Sequence, residues 1–487
     1  MSYLHARIRR EKEESESKLS FAKGESLLLL CQKAGISIER PCNGKGICGK
    51  CRVQFLEGAP LPQPAERRSL SPDELRRGIR LACATRLTQD CVILLPQEKG
   101  PDAVRSKLEI SWSRMPEQEQ GYFIAADIGT TTLVMEKRRK CDGSVIAVYR
   151  GVNAQRSCGA DVLTRMEAAL SGRAEMLSRL IRTQLEEGIS RLSEEGGAVD
   201  FMVIAANTTM VHLLMGYDVK GLSQAPFIPE TLDEIQTEIG GIRTYIMPGI
   251  SAFVGGDIVA GLKGVEFLRE NTLKTGMGGY KLFVDLGTNA ELVLYTDEGG
   301  ICCATAAGPA FDGDAGTGFF GSDMIAVMAN LLGEGIIDET GTLDDAHFDR
   351  GVDVPVKGGI MHVSQNQIRN LQLAKAAVRG GIEVLLQKQH LSASQIDQVY
   401  LAGGFGYYLD VHAAVQIGLL PEELEQKTIA CGNTALSGAT VYGYQILTGV
   451  ERNLSVRLKA INLAEEPMFT ESYVNYINLT ANHFPDH

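Results

Sequence analysis

Pro41-Cys42-Asn43-Gly44-Lys45-Gly46-Ile47-Cys48-Gly49-Lys50-Cys51-Arg52-Val53 decides how the first part of this chain is read. Its cysteines stand at C-x5-C-x2-C spacing with three glycines among them, and Cys83 follows 32 positions after Cys51, in Leu81-Ala82-Cys83-Ala84-Thr85. Four thiolates are the usual complement of a [2Fe–2S] cluster. A chain that wraps a small inorganic cluster must turn sharply, offer N–H groups to the sulfides and reach positive φ, and glycine permits all of this. The alternative is a zinc knuckle or a set of buried thiols. Structural zinc ligands usually come as two short cysteine pairs, which a lone Cys83 does not match.

Outward from this loop, Leu4, Ala6 and Ile8 alternate with polar residues, and Lys18-Leu19-Ser20-Phe21 repeats the pattern across a charged turn. That predicts a hairpin. Glu25 to Ala34 reads as a short helix stopped by Gly35. Cys51-Arg52-Val53-Gln54-Phe55 leaves the loop as a strand, and Cys91-Val92-Ile93-Leu94-Leu95 closes the module. The order of strand, strand, helix, cysteine loop, strand and late cysteine resembles the α+β, β-grasp fold of [2Fe–2S] ferredoxins over residues 1–97. The plant-type spacing is C-x4-C-x2-C, and the extra residue here resembles the adrenodoxin-like branch. Cys31 and Cys91 read as core residues.

At 487 residues the chain calls for about two to four domains. A net charge of −12 argues against nucleic acid as a partner, since phosphate binding needs clustered Lys and Arg. No apolar run reaches the ~18 residues of a membrane span, and the N-terminus becomes highly charged too soon for a signal peptide. Eleven cysteines without a signal read as reduced thiols plus a metal site, which places the expected setting in the cytoplasm.

Residues 98–120 lack sustained periodicity, hold Pro101, Pro116 and the only tryptophan, Trp112, and read as a linker. Beyond it, Tyr122 to Ala126 is an apolar run that ends in Asp127-Ile128-Gly129-Thr130-Thr131-Thr132. A second copy, Lys281 to Val284 and then Asp285-Leu286-Gly287-Thr288-Asn289, stands 158 residues later. One such turn is weak evidence. Two copies, each closing a buried strand, imply a duplicated architecture. The N–H groups and hydroxyls of such turns can cradle phosphates. An aspartate at a strand's carboxyl end can hold hydrated Mg2+, and its counterpart can orient a water toward a γ-phosphate. A third glycine turn, Gly403-Gly404-Phe405-Gly406, ends the run Gln398 to Ala402, after a helical pattern over 366–388.

Two phosphate turns followed by a glycine turn resemble the acetate-and-sugar-kinase/Hsp70/actin superfamily, whose adenosine sits on the glycine turn. Further segments sharpen the likeness: Asn153-Ala154-Gln155, Gly159-Ala160-Asp161-Val162, Asn207-Thr208-Thr209, Gly255-Gly256-Asp257 and Gly432-Asn433-Thr434. With the N-terminal module, they make the chain similar to the reductive activators of corrinoid enzymes. The resemblance implies a two-lobed, RNase H-like ATPase with lobes at 121–270 and 271–460 and an extension at 461–487. It implies Cys42, Cys48, Cys51 and Cys83 as cluster ligands, Asp127 with Gly129, Thr130, Thr131 and Thr132 as the first phosphate turn, and Asp285 with Gly287, Thr288 and Asn289 as the second. Gly403, Gly404 and Gly406 would bracket the adenosine. The implied cofactors are the [2Fe–2S] cluster, ATP and Mg2+. The implied partners are a corrinoid protein, an upstream low-potential electron donor and, as a candidate, a second copy of the chain; no nucleic acid and no membrane are expected. Some family members carry an extra middle domain where this chain has only residues 98–120. The implied reaction is ATP-dependent one-electron reduction of Co(II) to Co(I) in support of a corrinoid methyltransferase system. Competing readings are an ATP-driven electron donor to a different metalloenzyme, such as a dehydratase, and a ferredoxin-fused small-molecule kinase.

Outside these motifs, His212 reads as a hydrogen-bonded structural histidine and Cys302-Cys303 as small core residues. Asp257 and Asp323, next to glycines, are balanced between nucleotide contact and turn capping. The tail beyond Glu465-Glu466 holds Tyr473, Tyr476 and Ile477, which suggests packing on a lobe.

Overall fold

The computed structural model describes residues 4–10, 16–34, 36, 38, 51–70, 72–95, 110–112, 121–194, 197–271, 278–308, 321–356, 359–403, 409–452 and 457–479. The first sheet takes the order Glu16–Phe21, Leu4–Arg10, Cys91–Leu95, Arg52–Glu57, Ile79–Leu81. Leu4–Arg10 pairs antiparallel with Glu16–Phe21, as the alternation predicts, and parallel with Cys91–Leu95. The first and last strands thus lie side by side at the centre, with helix Leu27–Lys33 crossing between them in sequence. This is the β-grasp arrangement. Its core gathers Phe21, Leu27, Val53, Phe55, Leu81 and Ile93 with Cys31 and Cys91. Burial pushes the Cys31 thiol up to about 12 and the Cys91 thiol up to about 11, so both stay protonated core residues.

Two six-stranded sheets follow. In the first, Val145–Val152, Thr132–Arg139 and Tyr122–Ile128 form an antiparallel meander, and Val199–Ala206 and then Ile242–Ile246 add on parallel. In the second, Gly300–Thr305, Ala290–Tyr295 and Tyr280–Leu286 form the meander, and Ile396–Ala402 and then Thr428–Gly432 add on parallel. These five strands share one topology, which is the duplication the repeated motif implies; the sixth differs, Ile235–Ile239 pairing antiparallel beyond Ile242–Ile246 in the first sheet and Leu458–Ala460 pairing parallel with Gly300–Thr305 at the meander edge of the second. Long helices occupy matching places: Ala174–Glu194 and Gln365–Lys388 after each meander, Gly256–Asn271 and Thr434–Thr448 after each last parallel strand.

The last two helices join the lobes. Ile258, Leu262 and Val265 of the first pack against Phe283 and Val293 of the second sheet. Ala435, Leu436 and Ala439 of the other pack beneath Phe123 and Ala125 of the first sheet. Each lobe therefore sends a helix to help cover the other's sheet.

Two details refine the sequence reading. Ile110 and Trp112, within the expected linker, are docked on the first lobe: Ile110 is buried and Trp112 donates from Nε1 to the Lys140 carbonyl at 3.0 Å. The tail packs as expected. Helix Pro467–Asn475 lies along Gln365–Lys388, Leu479 is fully buried, and Gln372 Nε2 donates to the Ile477 carbonyl at 3.1 Å. Among the described residues no helix is long and apolar enough to cross a membrane.

Candidate functional site

Two centres emerge from the residues the sequence singles out. The first lies in the β-grasp domain. Cys51, just before strand Arg52–Glu57, and Cys83, just after strand Ile79–Leu81, come from neighbouring strands in antiparallel register. Their sulfurs stand 3.3 Å apart. That exceeds the ~2.05 Å of a disulfide and suits two thiolates directed at one metal. Cys42 and Cys48 lie outside the described residues, so the structure places half of the expected ligand set, and that half converges.

The second centre is the cleft between the lobes. Asp127 is the penultimate residue of Tyr122–Ile128, and Asp285 holds the same place in Tyr280–Leu286. Both side chains leave their sheets on the face covered by the crossing helices. Asn433, the cap of Thr434–Thr448, donates from Nδ2 to Asp127 Oδ2 at 2.7 Å. Asp257, in the first turn of Gly256–Asn271, is half-buried, and its Oδ1 accepts from Ile258 N at 2.9 Å. Glu291 is directly opposite Asp285 in the antiparallel register, hence on the same face. Four carboxylates thus share the cleft.

Burial is the main cause that raises all four, since a low-dielectric site disfavours charge. Asp127 rises to about 7, held down by the Asn433 bond and pushed up by Asp257. Asp285 rises to about 8, with Asp257 and Asp127 adding to burial. Asp257 rises to about 6, and Glu291 is pushed well above the carboxylate range by burial, then Asp257 and Asp285. A site that keeps acids unwillingly charged or half-protonated is one a cation would relieve. Among the described residues no three His, Cys, Asp or Glu side chains are placed to hold an ion by themselves. Mg2+ fits that limit, because it usually takes one or two carboxylates and completes its shell with water and phosphate oxygens.

The first turn is braced from behind. Asn153 Nδ2 donates to the Gly129 carbonyl at 2.8 Å, the buried Arg165 guanidinium donates to the Thr130 carbonyl, and Asn153 N donates to the Thr131 carbonyl at 2.9 Å. Arg165 Nε also holds the Gly159 carbonyl at 2.9 Å. A trans peptide aims its N–H opposite to its C=O. Three carbonyls tied to this scaffold therefore turn the N–H groups of Thr130, Thr131 and Thr132 away from it. Thr131 Oγ1 is buried and has no hydrogen-bond partner among the described residues. Outward N–H groups with an unpartnered hydroxyl suit an anion. In the second turn Gly287 N closes on the Asn289 carbonyl at 2.9 Å, as Gly129 N closes on Thr132.

Gly403 ends its strand at φ +94°, and a Cβ there would come within 2.8 Å of Asp285 Oδ1, so this glycine lets the third turn pass beside the acid. Gly404 and Gly406 lie outside the described residues. Of the undecided residues, Asp257 belongs to the cleft, whereas Asp323 heads helix Gly321–Gly333. Sequence reasoning missed Glu291. The signal was its spacing of six from Asp285, which a two-stranded register turns into a cross-strand pair.

His212 is buried, its Nδ1 faces the Thr208 carbonyl at 2.8 Å and its Nε2 accepts from Glu230 N at 3.0 Å. An accepting Nε2 means a neutral ring, and burial lowers its pKa, which supports the structural role. Cys302 and Cys303 are core residues, both raised by burial, Cys302 to about 12.

Three family models match the chain in succession: a 2Fe-2S iron-sulfur cluster binding domain over 11–88, the RACo middle region over 122–270, and the C-terminal ASKHA domain of RACo over 279–318 and 312–486. The chain belongs to the RACo family. In this RACo-family chain the middle-region match falls on the first lobe, directly after the 98–120 segment. The chain is similar to the corrinoid activation enzyme RamQ of Eubacterium limosum, 28% identical over 426 residues, which cover 72% of this chain and 69% of RamQ. The chain is also 35% identical over 86 residues to one component of the Na(+)-translocating NADH-quinone reductase of Yersinia pestis, covering 18% of this chain and 21% of that one. The solved structure of a reductive activator for corrinoid, iron-sulfur protein matches with a TM-score of 0.64 at 22% identity over 98% of both chains, a likeness of fold.

Proposed function

We propose that this protein is an ATP-dependent reductive activator of a corrinoid protein. It would pass one electron from a [2Fe–2S] cluster on Cys42, Cys48, Cys51 and Cys83 to a partner's Co(II), leaving Co(I) and an oxidised cluster. An upstream low-potential donor would restore the electron. The observation that carries this reading is the union, in one chain, of a converging ferredoxin thiolate pair and a two-lobed acid cleft, in a chain similar to RamQ through most of its length.

Energetics explain the union. A [2Fe–2S] ferredoxin lies near ~−400 mV, and a Co(II)/Co(I) couple is expected to lie lower. At ~59 mV per tenfold for one electron, an uphill gap of ~120 mV costs about 2.8 kcal/mol. Nucleotide-driven lobe closure can supply this by changing how the partner holds its cobalt, because ligation sets a metal's potential. In the cleft, the N–H groups of the Gly129 to Thr132 turn and the Gly287 to Asn289 turn would hold phosphates. Asp285, with Asp257 and Glu291 beside it, would hold hydrated Mg2+. Asp127, fixed by Asn433, would orient the attacking water. The Gly403 turn would carry the adenosine.

The test is anaerobic visible spectroscopy of a purified Co(II) corrinoid protein mixed with this protein and a low-potential reductant, with and without Mg-ATP. Co(I) formed only with ATP, and lost in Cys83→Ala and in Asp127→Ala, is the expected result. Co(II) that persists with several corrinoid partners overturns the assignment and leaves a different metalloenzyme as the acceptor.

A further inference from the structure

Trp112 stands in the segment that leads back to the ferredoxin domain, yet its contacts belong to both lobes. From the first lobe, Phe123 lies beneath its ring with centroids 6.4 Å apart, Lys140 O accepts from Nε1, and Asp142 O accepts from its backbone N at 3.3 Å. Gly143, at φ +73°, leaves room for the ring, since a Cβ there would lie 2.7 Å from it. Arg138 secures the neighbouring Ile110 carbonyl at 3.4 Å. The other partner is Tyr444, at a centroid distance of 4.8 Å. Tyr444 sits on helix Thr434–Thr448, which the last parallel strand of the second lobe, Thr428–Gly432, feeds directly. The opposite end of that helix is capped by Asn433, whose amide holds Asp127 in the cleft.

One helix, about 22 Å long at ~1.5 Å per residue, therefore has the cleft at its head and the root of the ferredoxin tether near its foot. A helix moves as a unit, and closure of two lobes slides or rotates such crossing elements against their sheets. We propose that Trp112 and Tyr444 are positioning residues that register the state of the nucleotide cleft at the root of the ferredoxin tether, through helix Thr434–Thr448. The inference rests on the nucleotide reading of the cleft. It gives the nucleotide a route to the electron-donating domain within the same chain, besides any effect on the partner.

The docking also sets reach. With Ile110 held, the chain from Leu95 spans at most about 50 Å; freed back to Gly121 it would span about 90 Å, at ~3.3–3.6 Å per residue. Effective concentration falls as roughly the −3/2 power of tether length, so simple release would slow delivery about twofold, with or without nucleotide.

Trp112 is the only tryptophan, so its emission reports this contact alone. The full-length, cluster-loaded protein is titrated with Mg-ATP, with calorimetric heat and tryptophan emission followed in parallel. The expected result is an emission change that saturates with the heat. Tyr444→Ala should keep the heat and lose the emission change, and Tyr444→Phe should restore it. In electron transfer, Tyr444→Ala should reduce the stimulation by ATP, beyond the twofold, nucleotide-independent loss of a longer tether. Binding heat without an emission change in the unaltered protein overturns the coupling and leaves the nucleotide site standing, as does a Tyr444→Ala response equal to the unaltered one. Absence of heat removes the nucleotide reading and this inference with it.

Discussion

The two halves of the large domain share a topology and a motif, but they treat their aspartates differently. After its last parallel strand, each half sends a helix into the cleft. The second half delivers an amide, Asn433, to Asp127 of the first. The first half delivers a carboxyl, Asp257, to the neighbourhood of Asp285 of the second, where Glu291 already stands across the register. The same strand-turn unit thus becomes a fixed, hydrogen-bonded carboxylate on one side and a cluster of mutually repelling acids on the other. A cation would relieve the second arrangement more; the first already has a donor, although Asp127 too is raised, to about 7. Duplication built the frame, and the residues exchanged across it give the two aspartates different surroundings.

The largest effect that would break this contrast is on turnover. Asp127→Ala and Asp285→Ala should each lower ATP hydrolysis on the order of 10²–10³-fold, measured by phosphate release. Only the Asp285 variant should also lose its affinity for Mg2+ in titrations with the nucleotide present. Equal Mg2+ responses in both would erase the division of roles.

The bracing of the first turn comes next. Arg165 is fully buried; burial and then Arg156 lower it to about 9, still protonated at neutral pH. Arg165→Ala leaves the Thr130 and Gly159 carbonyls without their donor, at about 1–3 kcal/mol for each unsatisfied group. Chemical denaturation should show that loss, and calorimetry should show weakened ATP binding. Unchanged ATP affinity in a folded variant would mean the brace does not shape the turn.

Smaller still is a pH effect on stability without nucleotide. Asp285 titrates near 8 when folded, well above an unfolded aspartate at about 3.9. Between these values the unfolded chain binds fewer protons than the folded one, so stability falls as pH rises through the window and levels off above about 8. Asp285→Asn should remove this fall, so its gain in Tm over the unaltered protein is widest near pH 8 and fades toward pH ~4. For Asp127 the window closes lower, near 7, and the gain from Asp127→Asn should be smaller because the Asn433 bond already stabilises the charge. Thermal scans across pH, with and without Mg2+, separate the two. A gain that grows as pH falls would contradict the raised values.

The finest test is Glu291→Gln. Asp285 owes its rise to burial, Asp257 and Asp127, whereas Glu291 is itself raised by Asp257 and Asp285, so Glu291→Gln should leave the upper ends of the Asp285 and Asp127 windows nearly in place. A shift in Asp127 alone would mean that Glu291 serves the other half.

Much of this was legible in the chain. The hairpin at Leu4–Arg10 and Glu16–Phe21 follows from period-two alternation, and the helix expected over 366–388 is found at Gln365–Lys388. Local periodicity reports local structure because a helix or strand buries one face at a fixed repeat. The two strand-turn units were legible as well, since a tight turn at the end of a buried strand restricts its own residue types. Residues 98–120 read as a linker because no periodic pattern marks a single half-buried ring, so the docking of Trp112 could not be seen.

The amino-acid sequence alone determined the spacing of the cysteines, the duplicated strand-turn units and the order of the domains, because each is written in residues close together in the chain. Only the tertiary structure decided that Asn433 meets Asp127, 306 residues away, that Glu291 and Asp257 join Asp285, and that Cys83 reaches Cys51. Such meetings depend on which strands pair and which helices cross. Those are settled by burial of whole faces, to which no single residue's neighbours in sequence bear witness.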